Sequence, residues 1–449
     1  MTPGGPLRAA ANLAGRRGRV LLHSGRDDDG CGRWSFVACE PELTVEARGR
    51  RVRVRDASGA IARELEGDPL QVLQQQLEAR AGAGDDADPV PIAIGYLGYD
   101  LGRTIERLPP GPARGDDVPD LWFGFYAAVA RWDGAAEARA RDPEIVGPDP
   151  AAGARLAALL QTDRPLGEPP RLGALVPDQD AGEYGRSVGR VRAYIEAGDV
   201  YQVNLARRLT APIERDGDAL GLYAALLARS PAPFGALIEA DGVTVISGSP
   251  ELFLRRAPGA ARLETRPIKG TRRRDRSDAA RDRALAEELG ADPKELAEHL
   301  MIVDLERNDL GRIAEIGSVR VEALGYALAL PTVHHLVSTV SCRVRPTATV
   351  ADILRATFPG GSITGAPKIR AMQIIDELEP ARRGPYTGAI GYLGAAGAID
   401  LSIAIRAAVL AGGELRLHVG GGIVADSTAE RELAETEEKA AAWRAALTR

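Results

Sequence analysis

The order of apolar and polar positions divides the chain into a strand-rich first part and a mixed second part. Val20-Leu21-Leu22-His23-Ser24 is a short apolar run, and Trp34 to Ala38 alternates at period two. Leu43 to Val54 repeats that pattern, so all three predict strands. Pro69 to Arg80 predicts a helix that ends in the Gly- and Asp-rich loop Ala81 to Asp88. Ile92 to Tyr99 reads as a strand or strand turn whose glycines imply close backbone packing. A loop over Pro109 to Pro119 leads into a further apolar strand, Leu121 to Trp132. Between Gly147 and Gln179, Pro, Gly and Asp dominate around one helical patch at Ala151 to Leu160. This segment is the expected boundary between a β-rich subdomain over 1–165 and a second domain over 175–449. No solenoid-length repeat is present.

Beyond the boundary the periods change quickly. Asp180 has the character of a helix N-cap, and Tyr184, Val188, Val191 and Ile195 recur at helical spacing until Gly198 stops them. Tyr201 to Ala206 then alternates, which places Gln202 and Asn204 on one strand face; such a face is equally a wet sheet surface or a cleft lining. Gly235 to Ala240 and Val243 to Ser247 form a hairpin about the turn signal Asp241-Gly242, followed by Ser249-Pro250-Glu251. Asp292-Pro293 opens a helix through about Asp304, and Ser427-x-x-Glu430 resembles a capping box for the last helix. Phe358 to Lys368 is a glycine-rich loop feeding a helix with Pro367 near its start and Ile369, Met372, Ile375 and Leu378 as its apolar face.

With 57 basic and 63 acidic residues in 449, the net charge is −6, which argues against a general nucleic-acid binder. No apolar run reaches membrane-spanning length and the start lacks a signal-peptide core, so the expectation is a cytoplasmic protein with no membrane partner. Three cysteines, Cys31, Cys39 and Cys342, form no close pair, so neither a disulfide framework nor a zinc site is expected.

Charge matters more locally. Lys269 stands between Ile268 and Gly270 just before Arg272-Arg273-Arg274, and nearby positive charge or burial would favour a neutral, nucleophilic amine. Taken alone, the same stretch is a solvated turn lysine beside a solvated arginine run. Glu295 and Glu298 lie three apart on one helix, as do Glu432 and Glu435 on another. Oxygen donors without a His or Cys cluster suit Mg²⁺. Equally, glutamates early in a helix serve its dipole, and Glu435 can pair with Lys439. The Gly360 loop is not a nucleotide P-loop, because Ala366-Pro367 follows Gly365 where that motif needs Lys and Ser or Thr. Gly420-Gly421-Gly422 is either a tight strand turn or bare backbone for a ligand.

Taken in order, these motifs resemble the chorismate-utilising enzymes. The resemblance is dense from Asp180 to the C-terminus: Gly198 to Asn204, Ser249-Pro250-Glu251, Pro267-Ile268-Lys269-Gly270-Thr271, His299 to Gly311, the Gly360 loop, Ile403 to Arg406 and Gly420 to Ser427. It implies an α/β (α+β) sandwich of mainly antiparallel sheets between outer helices, with 175–449 as the chorismate-binding catalytic domain. It implies Mg²⁺ held by Glu298 and Glu435, helped by Glu295 and Glu432. It implies Arg406, Tyr386, Gly421 and Gly422 around one substrate carboxylate, His335 of the His334-His335 pair near the ring, and Ser362, Thr364 and Lys368 along the glycine loop. Glu251 matches the acid that protonates the departing hydroxyl. Relatives that add water carry a lysine where this chain has Gln202, and anthranilate-forming relatives carry alanine where Lys269 stands. The branch that matches on both counts makes 4-amino-4-deoxychorismate for p-aminobenzoate and folate, using the lysine as a covalent catalyst. Asp29-Gly30-Cys31-Gly32-Arg33 lacks the setting of a glutaminase nucleophile, so ammonia is expected from a separate class I glutamine amidotransferase subunit. His23 replaces an acidic residue usual in the tryptophan-inhibited branch.

Overall fold

The computed structural model describes residues 5–25, 31–80, 88–109, 111, 117–134, 142–330 and 333–447. The loops expected at Ala81 to Asp88 and Pro109 to Pro119 fall mostly outside them, as do Asp29 and Gly30. Two twelve-stranded sheets, antiparallel in every pairing, lie face to face. Their strands show why: Val20, Phe36, Ile238 and Val245 of one sheet bury against Ile94, Tyr96, Trp122 and Ile390 of the other. Their immediate neighbours Leu21, Val37, Leu237 and Ile246 point the opposite way, onto a helical layer that includes Leu220, Tyr223 and Trp443. Period-two alternation of apolar residues on both parities is the signature of strands buried on both faces. The second sheet does the same, turning Leu97, Phe123, Leu254 and Leu401 toward Leu73, Val188, Leu354 and Ile375. The architecture is therefore the expected sandwich of antiparallel sheets between outer helices.

Both sheets draw strands from before and after 147–179. Val20–His23 pairs with Phe234–Ala240, and Pro91–Leu97 pairs with Ala389–Gly394. Several sequence expectations resolve differently in detail. Leu43 to Val54 is two strands, Leu43–Arg48 and Arg51–Asp56, joined by a turn at Gly49. The apolar run Leu121 to Trp132 is also two, Leu121–Phe125 and Val129–Asp133, one in each sheet. The helix after Asp292 continues to Gly311. The helix Ala279–Ala291 has no strong apolar period and was not expected. Ser427 is not the cap of the last helix, Ala429–Leu447; Thr428 accepts from Arg431 N, while Ser427 Oγ takes the Val424 N–H. Ile369 is exposed rather than part of its helix's apolar face.

Candidate active site

Two connections between the sheets build the site. Strand Val243–Ser249 belongs to one sheet and Leu252–Arg256 to the other, so Glu251 sits where the chain crosses between them. Ile399–Ile403 and Ala407–Ala411 are joined in the reverse sense, and Arg406 occupies that crossing with φ 49°. Close to these crossings come the edge strand Ile268–Arg273, the helices Pro293–Gly311 and Ala429–Leu447, and the glycine loop.

Lys269 lies at the centre of the charged groups. Its Nζ is 2.9 Å from Glu298 Oε2. A Cβ added at Gly422 would fall 2.9 Å from the same Nζ and 3.0 Å from Gln202 Cδ, so the amine, the glycine backbone and Gln202 abut. A Cβ at Gly421 would lie 3.1 Å from Glu435 Oε1 and 3.2 Å from Glu432 Oε2. Strand pairing brings these glycines there, with Gly422 opposite Asn204 and Gly421 opposite Leu205. Lys269 is close enough to Glu295, Glu432 and Glu435 to act on their charges. Of the arginine run, Arg272 is taken up by Asp292 and Glu295, and Arg274 by Asp282. Carboxylates surround Lys269.

Glu251 is buried, and desolvation pushes its carboxyl up to about 7, although the Ser362 hydroxyl donates to its Oε1 at 2.6 Å and favours the ionised form. His335 is buried too, and desolvation with the nearby Arg406 lowers it to about 4. Its Nδ1 lies 3.0 Å from Thr271 Oγ1, which can donate or accept, and 3.2 Å from the Gly270 carbonyl, which only accepts, so a proton on Nδ1 satisfies both. Nε2 then keeps its lone pair, and it is buried without a hydrogen-bond partner. His334 pairs with Asp282 at 3.0 Å and is the structural member of the two. The Arg406 side chain makes no hydrogen bond or ion pair among the described residues, and desolvation lowers its pKa. An unpaired, desolvated guanidinium is a fork awaiting an anion. Tyr386 is hydrogen-bonded to Asn204 and stacks on His418 with ring centroids 5.3 Å apart.

Two expected members of the loop face elsewhere. Thr364 Oγ1 donates to the Gly360 carbonyl at 3.0 Å and closes the loop. Lys368 Nζ binds Asp309 and the Thr357 carbonyl. Three residues were not singled out from sequence. Lys439, expected only as a partner for Glu435, makes that pair at 2.7 Å and also holds the Gly420 carbonyl at 2.6 Å. Arg383 and Glu379 form a buried pair that also holds the Asn204 and Ile363 carbonyls and the Ala206 N–H, locking the Gln202 strand to the glycine loop. Their i,i+4 spacing is visible in sequence, but it marks countless surface pairs as well.

The four glutamates supply an all-oxygen donor set, and Glu432 Oε2 is buried without a partner. That chemistry fits a hard dication. Among the described residues no three such side chains form a ready metal cage; Glu298 is held by Lys269 and Glu435 by Lys439.

A buried arginine with no partner among the described residues and a carboxylate-ringed lysine, set at the crossings between two antiparallel sheets, define the class of site. Residues 23–445 match the family described as chorismate binding enzyme, and the chain belongs to that family. It is accordingly an enzyme acting on chorismate. It is similar to aminodeoxychorismate synthase component 1 of Klebsiella aerogenes, 41% identical over 94% of this chain and 91% of that protein. Anthranilate synthase component 1 of Bacillus caldotenax is 37% identical over 97% of this chain and 90% of its own. The crystal structure of anthranilate synthase component I from Streptococcus pneumoniae TIGR4 superposes with a TM-score of 0.78 at 32% identity, covering 91% of each chain. No helix among the described residues is long and apolar enough to cross a membrane.

Proposed function

We propose that the enzyme converts chorismate and ammonia to 4-amino-4-deoxychorismate and water. The observation that carries this reading is the Lys269 amine, which abuts Gln202 and Gly422 and acts on the charge of buried Glu251. In the proposed reaction the free amine of Lys269 attacks ring carbon 2, the ring double bonds shift, and the 4-hydroxyl leaves. Glu251 gives that hydroxyl its proton, so water departs. Ammonia then attacks carbon 4, the double bonds shift back, and the lysine leaves carbon 2 as an amine. A proton released from the incoming ammonia restores Glu251. The amine can attack only when it is neutral and free of Glu298. Arg406 would grip one substrate carboxylate with its fork, and it is close enough to His335 for its charge to lower that imidazole.

Glu298 and Glu435 would hold Mg²⁺, with Glu295 and Glu432 behind them. When bound, the ion would neutralise the ring carboxylate as a Lewis acid. Ammonia would come from a separate class I glutamine amidotransferase subunit in the cytoplasm, with free ammonium salts able to replace it. Division into 1–165 and 175–449 would then be a matter of sequence layout around one shared cleft.

Anthranilate formation is the competing reading, because relatives of that name are nearly as similar. It puts nitrogen on carbon 2 directly and needs no protein amine, so Lys269 argues against it. The test is the purified chain with chorismate, Mg²⁺ and an ammonium salt, assayed for a product that an added lyase turns into p-aminobenzoate. Fluorescent anthranilate in its place would sink the proposal.

A further inference from the structure

Behind the glycine loop lies an acid that the reaction above does not use. Glu306, on the helix Pro293–Gly311, is 3% exposed, and its Oε1 accepts the Gly361 N–H at 2.9 Å. The next residue, Ser362, donates its hydroxyl to Glu251. One peptide unit therefore links the buried acid to the acid at the reacting centre. A Cβ on Gly361 would lie 2.7 Å from Leu305 Cδ2 and 3.0 Å from Glu306 Oε1, so the loop is pressed against this helix with no room for a side chain.

The charges around Glu306 are few. Asp309 faces it from its own helix, Lys368 from the helix Lys368–Leu378, and Glu251 from the sheet crossing. Lys368 is committed to Asp309 and to the Thr357 carbonyl, which leaves Glu306 an amide and no ion pair. Burial, and then the charge of Asp309, push its carboxyl up, so it holds a proton in the range where Glu251 titrates. Glu251 in turn faces Lys269, Lys439 and Glu306.

We propose that Glu306 is a positioning residue: by holding the Gly361 amide it seats the glycine loop so that the Ser362 hydroxyl meets Glu251. The proposal rests on Glu251 being the acid of the reaction above. A neutral carbonyl oxygen is sufficient for the hold, and a second negative charge behind Glu251 is avoided. Loss of the hold frees Ser362 from Glu251, and with it the hydrogen bond that favours the ionised carboxylate. The sign follows directly: Glu251 should then keep its proton to higher pH.

The test follows the Glu251 carboxyl by infrared difference titration of the full chain, with Glu251→Gln as the blank. Glu306→Met replaces the acid with an unbranched apolar side chain of similar length. Its Glu251 titration should move up by about one pH unit, the worth of one hydrogen bond to a charged group. Ser362→Ala should move it equally, and the double variant no further. Glu306→Gln keeps the acceptor and should titrate with the parent. If Glu306→Met does not fold, Glu306→Asp withdraws the acceptor by one methylene and serves the same comparison. An unshifted titration in Glu306→Met or Glu306→Asp, or an equal shift in Glu306→Gln, overturns the proposal. The reading is taken without turnover, so it stands apart from failure of the chorismate assay. Where turnover is measured, the descending limb in kcat should move up in pH with the Glu251 titration while KM holds.

Discussion

Two lysine–carboxylate pairs flank the cleft, and they differ in almost everything but composition. Lys368 meets Asp309 with 12% and 4% of their side chains exposed, and the lysine has the Thr357 carbonyl as a second acceptor. Lys269 meets Glu298 with 22% and 15% exposed, and around its amine stand three further glutamates, a glycine backbone and Gln202. The first pair has no freedom to do anything but hold the glycine loop to the helix Pro293–Gly311. The second is one contact away from releasing both members. A lysine is a tool where its partner can be taken from it, and a strut where it cannot.

The widest separation between the two should come from Lys269→Ala. Chorismate consumption should fall on the order of 10⁴-fold, the upper range for loss of a group acting on the reacting atoms, while the unfolding midpoint with Mg²⁺ moves by only a few degrees. Parent-like formation of aminodeoxychorismate from ammonia would end the contrast. Lys368→Met should do the opposite and appear in denaturant unfolding, at a cost of ~3–5 kcal/mol for stranding a buried carboxylate. Adding Asp309→Leu should recover most of that loss; if it deepens the loss instead, the pair is more than a strut.

Glu251 sharpens the same comparison through pH. As the proposed acid it must be protonated to act, and burial holds its carboxyl up to about 7. kcat/KM should therefore gain a descending limb of about tenfold per unit above about pH 7, and Glu251→Gln should lose about 10³-fold below it with that limb missing. A limb that survives in Glu251→Gln assigns it to another group. The mildest effect should come from Gly422→Ala, whose Cβ would meet Lys269 Nζ at 2.9 Å. The flexible amine gives way, the fold persists, and turnover drops by about 10² for misplacement of the nucleophile. Unchanged turnover would mean that Nζ does not work from this position.

Sequence and structure divided the site along a physical line. Helix starts at Asp180 and Asp292 and the hairpin at Asp241-Gly242 were readable because caps and turns depend on residues three or four apart. The paired glutamates were readable for the same reason, since i,i+3 spacing puts both on one helix face. Neighbours in sequence do not set the field at Lys269. Arg272 and Arg274 are its neighbours in sequence, but their charges are spent on Asp292, Glu295 and Asp282. The carboxylate that meets it is Glu298, on another element. The resemblance implies Thr364 and Lys368 along the glycine loop, and there Thr364 holds the Gly360 carbonyl and Lys368 holds Asp309.

By itself the sequence determined the local elements, the motif order that marks the family and the residue types available for chemistry, because these depend on contacts within a few residues. Only the tertiary structure decided which lysine is held open and which is locked, which histidine is paired with a carboxylate, and that Glu306 reaches Glu251 through the glycine loop. Those outcomes depend on which charges meet and how much water remains between them. Pairing and desolvation are set by strands and helices that arrive from opposite ends of the chain.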